Sequence, residues 1–143
     1  MRMWVIDCSV VAAAYLNEPD SDRAAALLGS GDKLWAPDLI TSEFGNVLWK
    51  RCSRGDISQM EAVEMIARFR RLRIYRASGS ELVQEALQLA LQTQRTVYDC
   101  LYLSLAVSMD TVLYTRDMRF YNSLQGGPMA RHVAPISTFP LPD

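Results

Sequence analysis

Short runs of β-favouring apolar residues alternate with longer stretches of helical periodicity along the whole chain. Trp4-Val5-Ile6, Leu34-Trp35-Ala36, Arg73-Ile74-Tyr75-Arg76 and Thr111–Thr115 read as strands. The first shows no polar alternation, as expected of a parallel strand buried on both faces. Helices are expected over Ser9–Leu16, from the capping candidates Asp20 and Ser21 to Gly29-Ser30-Gly31, and from Pro37-Asp38 to about Arg54. Further helices are expected from about Ser58 to Arg71, from a cap at Ser80 through Leu91, over 97–109, and from Asp117 to Leu124. The helix after Ser58 puts Ala62, Ile66 and Phe69 on one face and Glu61, Glu64, Arg68 and Arg71 on the other. His132-Val133-Ala134 supplies a last edge strand. The alternation implies an α/β fold, a three-layer α/β/α sandwich around a central parallel sheet of roughly four to five short strands.

The chain of 143 residues carries no repeat, low-complexity tract or interdomain linker. That predicts one domain over 1–143, with its core in 3–136 and a Pro-rich tail at 137–143. At this size about two-thirds of the unfolded surface can be buried, so no staples are needed. Cys8, Cys52 and Cys100 form no CxxC pair and leave one thiol over, which favours a reducing compartment. No segment has the length and polarity of a membrane span, and the first residues lack a basic-then-apolar signal pattern. A cytoplasmic protein without a membrane partner is expected. With 15 basic against 16 acidic residues, net charge −1, the balance announces no nucleic-acid binder. A polyanion site would need local basic residues or a metal that reverses the local field.

Four acids change that picture. Asp7 ends the first strand, Glu43 sits in the helix of Thr41–Leu48, Asp99 opens the helix of Val97–Leu103, and Asp117 follows Val112–Arg116. Strand ends and helix starts are where an α/β sheet gathers its site. Each acid also has an ordinary explanation. Asp99 stands at capping-box spacing from Thr96, Asp117 is placed to cap the next helix, and Glu43 shares a polar face with Asn46, Lys50 and Arg54. Asp7 is the hardest to dismiss, because an unpaired carboxylate at a buried strand end is costly. Two unit charges about 4 Å apart repel by roughly 4 kcal/mol at an effective dielectric near 20, so converging acids call for a cation. Oxygen-only donors select Mg²⁺ or Mn²⁺, ions that activate water and stabilise charge on a phosphodiester.

The motifs around these acids resemble the PIN domain family. Trp4-Val5-Ile6-Asp7-Cys8-Ser9-Val10-Val11 is similar to its opening strand and helix, and Ser42-Glu43-Phe44-Gly45-Asn46-Val47-Leu48 to its second acidic motif. Val97-Tyr98-Asp99-Cys100-Leu101-Tyr102-Leu103-Ser104-Leu105-Ala106 resembles the third, and Leu113-Tyr114-Thr115-Arg116-Asp117-Met118-Arg119-Phe120 the fourth. The compact size and the segment Tyr98-Asp99…Tyr102…Ala106 resemble VapC-type toxins of toxin–antitoxin pairs.

The resemblance implies an Mg²⁺- or Mn²⁺-dependent endoribonuclease that hydrolyses RNA by metal-activated water, leaving 5′-phosphate and 3′-hydroxyl ends. It implies Asp7, Glu43, Asp99 and Asp117 as metal-binding and catalytic residues, with Ser9 and Thr115 as supporting hydroxyls. It further implies a homodimer inhibited by a small cognate antitoxin.

Arg116 and Arg119 flank Asp117 and are candidates for RNA phosphate contact, whereas Arg68 to Arg76 reads first as a solvated face with a Glu64–Arg68 pair. His132 is expected to be structural or exposed, Cys8 and Cys100 to be packing residues, and the three tryptophans to be core or interface. Two other functions fit less of the pattern. A catalytically inactive PIN-like RNA-binding or regulatory module conflicts with retention of all four acids. An Asp-nucleophile phosphoryl-transfer domain built on Asp7 lacks the second carboxylate two positions on, where Ser9 stands, and has Arg116 in place of a lysine after the Val112–Thr115 strand.

Overall fold

Met3–Ile6 forms β1, the central strand of a parallel sheet in the computed structural model, which describes residues 2–143. β2 (Lys33–Pro37) and β3 (Ile74–Ala77) extend the sheet on one side, and β4 (Leu113–Thr115) and β5 (Val133–Pro135) on the other, in the order β3-β2-β1-β4-β5. Every pairing is parallel, with Val5 opposite both Trp35 and Leu113 in register. Parallel neighbours need crossovers, and helices supply them. α1 (Cys8–Tyr15) and α2 (Ser21–Leu28) lead to β2, while α3 (Leu39–Ser53) and α4 (Gln59–Arg71) lead to β3. α5 (Gly79–Thr93) and α6 (Val97–Ser108) carry the chain back across the sheet to β4, and α7 (Met118–Leu124) leads towards β5. Because such crossovers are right-handed, the outward and returning helices cover opposite faces, giving the expected α/β sandwich.

Val5 and Ile6 are fully buried, as are Val10 and Val11 on α1, Leu103 on α6 and Leu113 on β4. Phe44 lies between the rings of Tyr15 and Phe69, at centroid distances of 5.5 and 5.0 Å, and locks α3 to α1 and α4. The apolar run of β1 is thus covered on both sides, which is why it carries no polar alternation.

Three expectations need adjustment. Ser80 does not cap α5: the helix begins at Gly79, and its first amide is taken by Asp38 Oδ1 at 3.1 Å, a long-range contact that no local pattern signals. β4 begins at Leu113 rather than Thr111, after a left-handed turn at Asp110 (φ 49°). The core also reaches past residue 136 into the Pro-rich segment. Phe139 is buried edge-on against Tyr114, and its carbonyl accepts a hydrogen bond from Arg23. Of the tryptophans, Trp4 and Trp35 are half-buried and Trp49 is exposed. His132 is buried, its Nδ1 2.9 Å from the Thr111 carbonyl.

Candidate active site

After β1 the chain builds outward through β2 and β3, then crosses to build β4 and β5 on the opposite side. The crevice beyond the C-terminal ends of β1 and β4 is therefore a topological switch point, where open α/β sheets hold their ligands. Asp7 follows β1 and Asp117 follows β4, so sheet topology alone brings these two together. Glu43 reaches the crevice from α3 and Asp99 from the first turn of α6. All four acids line one cavity of about 180 Å³, together with Ser9, Tyr102 and others.

Asp7 is the best-anchored of the four. As the N-cap of α1 it accepts the Ser9 and Val10 amides on Oδ1 at 3.0 and 3.3 Å, and the Ser9 hydroxyl binds the same oxygen. Thr115 donates its hydroxyl to the other oxygen, Oδ2. Both hydroxyls are relays: Ser9 Oγ accepts the Arg116 amide at 2.9 Å, and Thr115 Oγ1 accepts the Asp117 amide at 3.0 Å. Asp117 in turn caps α7 through the Phe120 amide, and Thr96 Oγ1 caps α6 through the Asp99 amide. Asp7 and Asp117 thus serve as caps and also line the cavity, so the capping and site readings hold together for both.

The electrostatics form a chain of like charges. Burial pushes the Asp7 carboxyl up to about 6; its hydrogen bonds to Ser9, Thr115 and Val10 oppose that, and the Glu43 charge adds to it. Burial likewise raises Glu43, with the Tyr102 hydroxyl opposing and Asp99 adding. Burial raises Asp99 too, with Arg95 opposing and Asp117 adding. Each acid therefore makes its neighbour harder to ionise.

A cation between them removes that penalty, and the donors suit a hard ion. Asp7 Oδ1 is saturated by three donors, whereas Oδ2 accepts only Thr115 and keeps lone-pair capacity. The thiol of Cys8 beside it is driven far above its usual range by burial and by Glu43 and Asp7, so it stays protonated and offers no soft thiolate. Among the described residues no three His, Cys, Asp or Glu side chains are arranged to hold an ion as they stand. The set fits Mg²⁺ or Mn²⁺ held by one or two carboxylates with water completing the shell, rather than a cage of four protein ligands.

Two residues that the sequence reading passed over belong to the site. Tyr102, three residues after Asp99 and so on the same face of α6, donates its hydroxyl to Glu43; its helical spacing from Asp99 was the available signal. Arg95 places a guanidinium nitrogen 3.4 Å from Asp99 Oδ2 and 3.8 Å from Asp117 Oδ2, with the guanidinium over the Phe120 ring. The two arginines nominated for RNA contact flank Asp117, and their side chains differ in engagement. Arg116 pairs with Glu18 at 2.5 Å and lies 4.0 Å from Asp20, while Arg119 is exposed. Arg68 packs its guanidinium on Tyr15 and Arg76 on Phe69, and no Glu64–Arg68 pair forms among the described residues.

The same segments match known proteins. The family profile of the PIN domain matches residues 4–123. The chain is 34% identical over 117 residues to Ribonuclease VapC3 of Pyrobaculum aerophilum, covering 79% of this chain and 88% of the relative. VapC20 of Mycobacterium tuberculosis, a Sarcin-Ricin loop cleaving toxin, superposes with a TM-score of 0.67 at 17% identity, covering 90% of this chain and 98% of that one. VapBC2 from Rickettsia felis, bound to a DNA fragment from their promoter, superposes with a TM-score of 0.62 at 14% identity over 93% of this chain and 98% of its own. These two structures share the fold.

Proposed function

The chain belongs to the PIN domain family, and from that premise we propose that it is an endoribonuclease, the toxin of a toxin–antitoxin pair, cutting RNA with Mg²⁺ or Mn²⁺ at the four-acid cavity. The observation that carries this reading is the convergence of Asp7, Glu43, Asp99 and Asp117, from four different elements, on one cavity at the switch point of the sheet. The name of the Pyrobaculum relative supports the reaction, and the hard-donor set supports the ion.

When bound, the ion supplies charge neutralisation at the phosphodiester and a water acidic enough to attack near neutral pH. The chain's own residues do the rest. Ser9 and Thr115 fix the Asp7 carboxylate in one rotamer and leave Oδ2 able to accept a further partner. Tyr102 holds the Glu43 carboxylate in place and favours its charged form. Asp99 and Asp117, on the more exposed rim, complete the negative field into which a cation is drawn. Asp7 as a phosphoryl-accepting nucleophile fits less well, because Ser9 stands where a second carboxylate would be needed and Arg116 where a lysine would follow β4.

VapBC2 supports a cognate small antitoxin as partner, and a homodimer belongs to the same reading. Among the described residues no helix is long and apolar enough to cross a membrane. The test is expression of the chain alone in a bacterial host. Growth arrest that Asp99→Asn relieves, and that co-expression of a cognate small antitoxin also relieves, is the expected result. Normal growth with abundant folded wild-type protein contradicts the toxin reading.

A further inference from the structure

Arg95 is the cation that, among the described residues, forms an ion pair with any of the four acids. Its backbone is firmly placed. Gln94 takes a left-handed conformation (φ 61°) that turns the chain sharply from α5 into α6, the Arg95 amide bonds Thr93 Oγ1 at 3.3 Å, and Thr96 caps the next helix. The head group is held much less well. Its contacts to Asp99 and Asp117, at 3.4 and 3.8 Å, are longer than the 2.7–2.9 Å usual for charge-assisted hydrogen bonds, and its Nε is buried without a hydrogen-bond partner. It rests 5.5 Å from the Phe120 ring centroid, on a residue that lines the same cavity. A well-placed backbone carrying an under-satisfied fork, lodged between two carboxylates suited to a metal, makes a counterion that can be exchanged.

We propose that Arg95 is a displaceable counterion of Asp99 and Asp117 that transfers to an RNA phosphate when a divalent cation takes over those carboxylates. The planar fork suits a phosphate, and Arg116, the nearby alternative, is already engaged by Glu18. The inference rests on the ribonuclease reading above and adds an RNA-contacting role to a residue outside the acidic set.

The two halves of the proposal move opposite observables. Removing Arg95 relieves competition with the ion, so Mn²⁺ binds the RNA-free protein more tightly. It also removes a phosphate contact, so RNA binds more weakly. Mn²⁺ affinity, read by electron paramagnetic resonance of the free ion or by calorimetry, is expected to tighten about three- to ten-fold in Arg95→Gln. KM for a single-stranded RNA is expected to rise about ten-fold at saturating Mn²⁺.

Arg95→Lys keeps a charge on a flexible stem but loses the fork. It should show the same directions with smaller shifts, and it carries the test if Arg95→Gln does not fold. Shifts in the same direction, or no shift in either quantity, overturn the proposal, since loss of a purely structural contact weakens both or neither. Saturable Mn²⁺ binding by wild type with unaltered affinity in the variants rejects Arg95 alone. Absence of saturable binding in the wild type rejects the metal reading and Arg95 with it.

Discussion

Thr115, the last residue of β4, donates its hydroxyl to Asp7 Oδ2, just past the last residue of the neighbouring strand β1. The pairing of Ile6 with Tyr114 puts the two residues side by side as the next step of the same ladder. The sheet register itself therefore orients a carboxylate. The same hydroxyl oxygen accepts the Asp117 amide, so one side chain ties two of the four acids together.

Replacing Thr115 by valine keeps the β-branched shape and removes both bonds. Thr115 is fully buried, so the cost is about 1–3 kcal/mol of stability, read as a lowered denaturation midpoint. RNA cleavage should fall further than stability accounts for, while Thr115→Ser keeps most of both. Full activity in Thr115→Val would remove the relay from the mechanism.

The raised carboxyl of Asp7 makes a pH-dependent statement about stability. Its folded value, about 6, lies above the ordinary 3.8, so the folded state binds the proton more tightly than the unfolded chain does. That contribution is fully present below about pH 4 and is lost as pH rises through about 6. With divalent ions removed, Asp7→Asn should therefore be more stable than wild type at pH 8, by about 1–3 kcal/mol less whatever the lost acceptor costs. The difference in melting temperature should shrink steadily towards pH 4. A difference between variant and wild type that does not change between pH 4 and pH 8 would contradict the burial of a charged Asp7.

Much of this is legible in the amino-acid sequence. The unbroken apolar run of β1, the strand–helix alternation and the four acids at element boundaries led to a parallel sheet and a single site. The missed features depend on contacts between residues far apart in sequence. Asp38 caps α5 across the β2–β3 pair, and Phe139 folds back onto Tyr114. Arg116 is claimed by Glu18, close to a hundred residues away. Arg95 fell in a polar connector, and only the left-handed turn at Gln94 aims it into the site.

Tyr102 offers a second handle on the carboxylates. Tyr102→Phe removes the hydrogen bond that lowers Glu43, so Glu43 should titrate at still higher pH. The acid limb of the pH–rate profile should move to higher pH, with little loss at pH 8 and about 1 kcal/mol of stability lost. An unmoved limb would separate Glu43 from the ionisations that matter.

Glu18 is the anchor for the loop that carries Asp117. Its carboxylate pairs with Arg51 of α3 and with Arg116 after β4, and its side chain is 13% exposed. Glu18→Ala leaves both guanidinium groups without that partner, and the expected loss is about 1–3 kcal/mol after allowing for partial exposure of the arginines. Glu18→Gln should lose less. A neutral Glu18→Ala, measured by chemical denaturation, would show that the pairs are dispensable.

Hydrolysis of RNA at the four-acid cavity should require a divalent cation and the Asp7 carboxylate. The most direct measurement is cleavage of RNA by the purified protein during a titration of Mg²⁺ or Mn²⁺, with mapping of the end groups, beside folded Asp7→Asn. Ion-dependent cleavage leaving 5′-phosphate and 3′-hydroxyl ends, abolished by chelator and by Asp7→Asn, is the expected result. Undiminished cleavage by Asp7→Asn, or cleavage by wild type that ignores the ion, would contradict it.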